Sequence, residues 1–371
     1  MGINFNKLKP SASMEMARIS NDLRQRGTKI YPLGIGDTHF SVPKTIQENF
    51  DKLNDAYSHY TNAQGIFELL DKISKFYQGY SPKDVMLVPG LKQGLYYTLA
   101  AISKKKVCIL EPAWLGYEAV AIMAGYDIEI INTYSDNWQN KIQDINFDVI
   151  LVCTPNNPDG KFYNKKEIDN LVNASKKNNA WIVTDFIYDK YIYENIESER
   201  LEKIFNYEKL IIGNGFSKSH AMTGFRIGYL ICKNQEIFNR MLIIHQNLAT
   251  CVPSISQHIL LNLEDSTNEI HLNSLYYKKN RDMVLEIFPE WEEFKPCGGF
   301  YYFVNLMIYG IDTGDLFCQQ LLTNTGVVLI PGSSYGKSFQ SYVRVSFSVN
   351  TELLIEALTE LKKFINETKN N

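Results

Sequence analysis

Between residues 107 and 232 the chain alternates short β-branched runs with stretches of helical periodicity, and few folds can accommodate that order. The runs at 107–110, 128–131, 149–153, 181–184, 210–213 and 227–232 are apolar, mostly bounded by polar, Gly or Pro residues, and predict strands. Helical patterns at 94–102, 117–123 and 165–176 fall between several of them. The order predicts an α/β chain with a mainly parallel sheet wrapped by helices. With 45% apolar residues in 371, the chain can bury a large domain and a smaller one.

The last hundred residues break the pattern. A helix is expected over 269–287, strands over 300–304 and 343–347, and a final helix over 351–367, a smaller α+β layer. The first forty residues, with Leu33-Gly34-Ile35-Gly36 and Pro43, are expected to join it. The expected division is therefore 46–268 for the large domain, and 1–45 with 269–371 for the small one.

Several function classes drop out. The formal net charge is −3 and no basic block offers a nucleic-acid face. None of the six cysteines forms a C-x-x-C pair, which favours reduced thiols. The six histidines lack H-x-x-x-H spacing, so no metal site is expected. Residues 1–10 lack the apolar stretch of a signal peptide, and no apolar run approaches the ~20 residues a membrane helix needs. A cytoplasmic protein without membrane contact is expected.

In a parallel sheet, ligands bind beyond the carboxyl ends of the strands. Three predicted strands end there in unusual polar residues. The run 149–153 leads into Thr154-Pro155-Asn156-Asn157-Pro158-Asp159-Gly160, the run 181–184 into Asp185 and Tyr188, and the run 210–213 into Gly215-Phe216-Ser217-Lys218. An amide, a carboxylate, a phenol and an amine are thus expected at one edge. That set suits pyridoxal 5'-phosphate: Lys218 forms a Schiff base with the aldehyde, and Asp185 keeps the pyridine nitrogen protonated. Asn157 and Tyr188 can hydrogen-bond the ring oxygen, Trp114 can stack on the ring, and Arg226 can clamp the phosphate. The start of a helix at Gly90, Leu91 and Lys92 offers backbone N–H groups to the same phosphate, with Ser217 as a further donor.

Plainer readings stand beside these. Lys218 can also be read as a surface lysine, Asp185 as a helix N-cap, Asn157 as a turn residue, and Tyr188 and Trp114 as core, though the register of Lys218 with Asp185, Asn157 and Arg226 favours the ligand-facing roles. Apolar flanks favour buried, ligand-facing roles for Arg226 and Arg344 over surface ones. A Walker loop is rejected because Ser217 precedes Lys218, and a Rossmann fingerprint because Lys218 stands where its third glycine would be.

The stretch Asn214-Gly215-Phe216-Ser217-Lys218-Ser219-His220-Ala221-Met222-Thr223-Gly224-Phe225-Arg226-Ile227-Gly228-Tyr229 resembles the lysine motif of fold-type I, class I aminotransferases. Leu8-Lys9-Pro10-Ser11-Ala12-Ser13 is similar to the opening of the bacterial aspartate/prephenate aminotransferase branch. The resemblance implies a mainly parallel seven-stranded sheet in a large domain, with a smaller α+β domain. It implies that Arg344, in Tyr342-Val343-Arg344-Val345-Ser346-Phe347, binds the substrate α-carboxylate, and that the Gly36 backbone faces the same group. Tyr60, in Tyr60-Thr61-Asn62-Ala63-Gln64-Gly65, would reach the cofactor phosphate of a neighbouring subunit, implying a homodimer with active sites at the interface. Lys92 and Ser13 match positions that contact the distal carboxylate of dicarboxylic substrates. The chain departs from the family at Asp37-Thr38-His39-Phe40, where Glu-Pro-Asp-Phe is frequent, and at Pro158-Asp159-Gly160, where Pro-Thr-Gly is frequent.

The expected reaction is transfer of an amino group from an amino acid, glutamate or aspartate, to a keto acid or other carbonyl acceptor. Lys218 would move the proton between substrate and cofactor, with Asp185 and Tyr188 supporting it. A decarboxylase of phosphorylated amino acids, or a β-lyase, remains the alternative on the same fold.

Overall fold

The computed structural model describes residues 8, 12–50, 55–194 and 202–369. Its larger sheet has seven strands: β1 (Val85–Val88), β2 (Lys106–Glu111), β3 (Asp127–Asn132), β4 (Val149–Cys153), β5 (Trp181–Asp185), β6 (Leu210–Gly215) and β7 (Gly228–Ile231). Their spatial order is β1-β7-β6-β5-β4-β2-β3. The pairs from β6 to β3 are all parallel, while β7 runs antiparallel to both of its neighbours. All six strands expected from sequence form, with ends displaced by two residues at most. β1 was not foreseen, although its run Val85–Val88, between Asp84 and Pro89-Gly90, is as apolar as those read as strands.

The sheet is buried on both faces, which is why its strands read as continuous apolar runs. Along β4, Val149, Leu151 and Cys153 join one core cluster while Ile150 and Val152 join the other. Each fully buried Val, Leu or Ile contributes roughly 1.5–3 kcal/mol. The helix Lys165–Lys177 shows how local chemistry sets a boundary: Asn164 accepts from the Glu167 N–H at 3.0 Å, while Glu167 accepts from the Asn164 N–H at 2.8 Å.

A second, antiparallel sheet has the order β8-β10-β9, from β8 (Tyr301–Asn305), β9 (Ile330–Pro331) and β10 (Tyr342–Ser346). The helices Thr267–Ile287, Gly314–Thr325 and Thr351–Lys369 accompany it. The two-residue β9 escaped the sequence pattern and exists because Val343 and Arg344 pair with Pro331 and Ile330. The segment near Leu33 joins this sheet: Tyr31 bridges to Val327, and the Ser346 N–H donates to the Leu33 carbonyl at 2.7 Å. Gly36 and Asp37 are thereby carried to the carboxyl edge of the large sheet.

Candidate active site

Where β4, β5 and β6 end, a cavity of about 400 Å³ opens. β4 delivers Asn157 to it, β5 delivers Asp185 and Tyr188, β6 delivers Ser217 and Lys218, and β10 delivers Arg344. Gly36, Leu91, Lys92, Trp114 and Arg226 complete the sequence-derived part of its wall. Three expected residues stand apart; Gly90 is not on the lining but lies against Arg226. Tyr60 is 85% exposed and does not line the cavity of its own chain. Ser13 lies in the helix Ala12–Gln25, and its side chain falls outside the described residues.

Lys218 is half-buried on the cavity floor, and its ammonium donates to the Gly36 carbonyl at 2.5 Å. Burial pushes its pKa down to about 8; the Asp37 carboxylate opposes that, and the Arg344 and Arg226 charges reinforce it. Its backbone carbonyl accepts from the Tyr191 hydroxyl at 3.0 Å, which fixes the turn after β6.

Asp185 is the last residue of β5 and is 7% exposed. Its Oδ2 accepts from the Tyr117 hydroxyl at 2.8 Å, and its Oδ1 accepts from the Ile187 N–H at 3.1 Å. The helix N-cap reading fails, since a turn and not a helix follows. Burial raises the pKa of this carboxyl, while Tyr117, the Ile187 N–H and the Lys218 charge hold it down. A carboxylate in that state gains from a cation placed against it.

On the opposite wall, Arg344 is 3% exposed. One of its nitrogens donates to Asn157 Oδ1 at 3.0 Å and another to the Gly34 carbonyl at 2.7 Å, while its Nε has no partner among the described residues. Asn157 Nδ2 donates to the Tyr188 hydroxyl at 3.2 Å, and that hydroxyl lies 3.1 Å from the Tyr301 hydroxyl. Arg344 sits over the Tyr301 ring, 4.1 Å from its centroid. A chain of bonds therefore links the arginine to the amide and both phenols.

Arg226 corrects the expectation from its apolar neighbours. It lines the cavity but is exposed in the single chain, because positive φ, +53°, turns its side chain outward, where Nη1 donates to the Thr223 carbonyl at 2.8 Å. Gly90, at φ +80°, precedes the helix Leu91–Ile102, and a Cβ there would fall 2.4 Å from Arg226 Nη2. The guanidinium thus lies against the helix start. Lys92 is close enough that burial and the Arg226 charge together lower its pKa. Its ammonium stands 5.1 Å from the centre of the Trp114 ring.

Asp37, Tyr117 and Tyr301 were missed from sequence. Asp37 Oδ2 accepts from the Thr223 hydroxyl at 3.1 Å, and Asp37 lines the cavity. Its only signal was its position beside Gly36, in a segment where the chain departs from its family. The two phenols gave no signal in a chain with 23 tyrosines.

The residues present fit pyridoxal phosphate. A buried carboxylate with spare acceptor capacity suits a protonated ring nitrogen, and a lysine of lowered pKa suits an aldehyde. Arg226 and Lys92 beside a helix start, with the Arg226 charge adding to the burial that lowers the Lys92 pKa, suit a phosphate dianion. A larger cavity, about 880 Å³, lies against Phe216 and His220; the amine and acid on its wall, Lys190 and Asp189, are already paired with each other at 3.4 Å.

The Aminotransferase class I and II family matches residues 28–361 of the chain. An aspartate aminotransferase of Thermotoga maritima is 29% identical over 96% of this chain and 97% of its own length. A (5-formylfuran-3-yl)methyl phosphate transaminase of Methanocaldococcus jannaschii is 31% identical, over 95% and 96%. The crystal structure of the Thermotoga maritima enzyme superposes with a TM-score of 0.88, covering 99% of this chain and 100% of that one.

Proposed function

The chain belongs to the class I and II aminotransferases, a fold-type I family that uses pyridoxal phosphate, and on that premise we propose how its own residues carry out transamination. When bound, the cofactor supplies an aldehyde that takes up the amino group and a ring that accepts the electrons released at the substrate Cα. Lys218 would hold the cofactor, and its neutral Nζ would take the substrate Cα proton and return it. Asp185 would keep the ring nitrogen protonated, and the Tyr117 hydroxyl favours the ionised form of Asp185. Arg344 would bind the α-carboxylate, with Asn157 fixing its plane, and Gly36 borders the same place. Tyr188 and Asn157 would serve the ring oxygen. Trp114 would stack on the ring, while Arg226, Ser217, Leu91 and Gly90 would hold the phosphate.

One observation carries this reading: an amine of lowered pKa and a buried carboxylate with a hydroxyl donor line the same 400 Å³ cavity. Glutamate or aspartate is the proposed donor, because Lys92 stands on the wall near Trp114, where a distal carboxylate would lie. Two active sites at the interface of a homodimer are supported by Tyr60, which stands out from its own chain. Residues 46–268 would hold the cofactor, and residues 1–45 with 269–371 would close over it. That none of the six cysteines forms a disulfide supports a cytoplasmic enzyme; no helix among the described residues is long and apolar enough to cross a membrane.

The test is spectral. Glutamate added to the cofactor-loaded enzyme should convert the cofactor to its amine form with release of 2-oxoglutarate, and Lys218→Ala should abolish turnover. No spectral change with any amino acid would sink the proposal. A Lys92→Ala enzyme with unchanged glutamate affinity would remove the dicarboxylate assignment alone.

A further inference from the structure

Beside the cofactor cavity lies a second one, of about 520 Å³, and Lys92, Trp114 and Leu115 line both. Its wall holds Glu111, the last residue of β2, and Tyr335. Glu111 is 5% exposed, yet its carboxyl makes no hydrogen bond or ion pair among the described residues. Tyr335 is 2% exposed, and its hydroxyl is also without a partner among them. A buried polar group left unpaired costs about 1–3 kcal/mol; the Tyr335 hydroxyl is closed off, so it is the Glu111 carboxyl that calls for a ligand from the cavity.

The carboxyl is seated by shape. Gly336, at φ +147°, lies so close that a Cβ there would fall 2.5 Å from Glu111 Oε2. Ile109, Ala119 and Ile122 make part of the remaining wall apolar, suited to a methylene chain. Glu118 and Lys337, the charges that act on Glu111, are both exposed and act in opposite directions. Burial lifts the Glu111 carboxyl to about 7. An anion must hold the carboxyl protonated and gains a single O–H donor, and a hydroxyl gains only neutral bonds. An amine converts the carboxyl into one half of a charge-assisted pair. The Lys92 ammonium on the shared wall opposes this pairing.

We propose that this second cavity seats the far end of an amine-terminated substrate side chain, with Glu111 receiving the amine. The proposal rests on the transamination reading, since the same substrate must present its α-amino group at Lys218. It adds amine-ended amino acids, or their keto-acid counterparts, to the substrates of the site.

The test uses pairs that differ only in the terminal group: L-lysine against L-norleucine, and L-ornithine against L-norvaline, each in the half-reaction with cofactor-loaded enzyme. At least one amine-ended substrate should show a kcat/KM about tenfold or more above its alkyl counterpart. Glu111→Gln should erode that preference, chiefly through KM, and leave the glutamate half-reaction within about twofold. Equal rates within both pairs, or a preference that survives the substitution, would overturn the proposal. Glutamate separates the two readings. If it fails to react, transamination falls and this inference with it; if it reacts while the pairs stay equal, only this inference falls.

Discussion

Replacing Asp37 by Asn should make the cofactor load faster at neutral pH, an outcome opposite to the usual effect of damaging an active site. The amine that attacks the aldehyde must be neutral. An ordinary lysine, near 10.5, is neutral at pH 7 in only about one molecule in 3,000. Lys218, pushed down to about 8, is neutral in about one in ten, a gain of about 300-fold. Asp37 works against that gain, because its carboxylate favours the ammonium. Removing an opposite charge a few ångströms away, partly open to solvent, should lower the lysine by about one further unit. The neutral fraction at pH 7 would then rise to about one half, and loading would accelerate about fivefold. Asn retains the oxygen that accepts from the Thr38 N–H at 2.9 Å, so the local turn should survive. The measurement is the rate at which apoenzyme takes up pyridoxal phosphate between pH 6 and 11, with borohydride trapping and mass spectrometry counting the modified Lys218. The wild-type rate should climb through a midpoint near 8 and level above it, because lowering the pKa of a base extends its neutral form to lower pH. A wild-type midpoint above 10, or an unmoved midpoint in D37N, would refute the reasoning.

Three further outcomes are expected. Tyr117→Phe removes the hydroxyl that supports Asp185 at 2.8 Å; losing a bond to a charged acceptor is worth about 1.5–3 kcal/mol, and turnover should fall about ten- to hundredfold while circular dichroism is unchanged. Gly90→Ala places a methyl group 2.4 Å from Arg226 Nη2 at a φ of +80°, so the equilibrium dissociation constant for pyridoxal phosphate should rise at least about tenfold, measured by fluorescence. Arg344→Gln should raise the KM for every amino acid tried, about a hundredfold or more, because it removes a buried cation that is already oriented by Asn157 and Gly34. Steady-state kinetics showing a change in kcat alone would contradict that role.

Much of this protein was legible in its sequence. Short continuous apolar runs and the helical stretches between them placed six of the seven strands of the large sheet, since the hydrophobic pattern is a local property of the chain. The polar residues after 153, 184 and 215 could be assigned to one edge because parallel strands deliver their carboxyl ends to one side. What sequence alone could not reach were partnerships between distant residues. Tyr117 meets Asp185 across 68 positions, and Tyr301 meets Tyr188 across 113. The exposure of Arg226 depended on a backbone torsion that its apolar neighbours do not announce. The unpaired state of Glu111 and Tyr335 is likewise a statement about every atom around them. Local pattern is written in neighbouring residues, but hydrogen-bond partners, desolvation and cavities arise only when remote segments pack, and tertiary structure alone decides them.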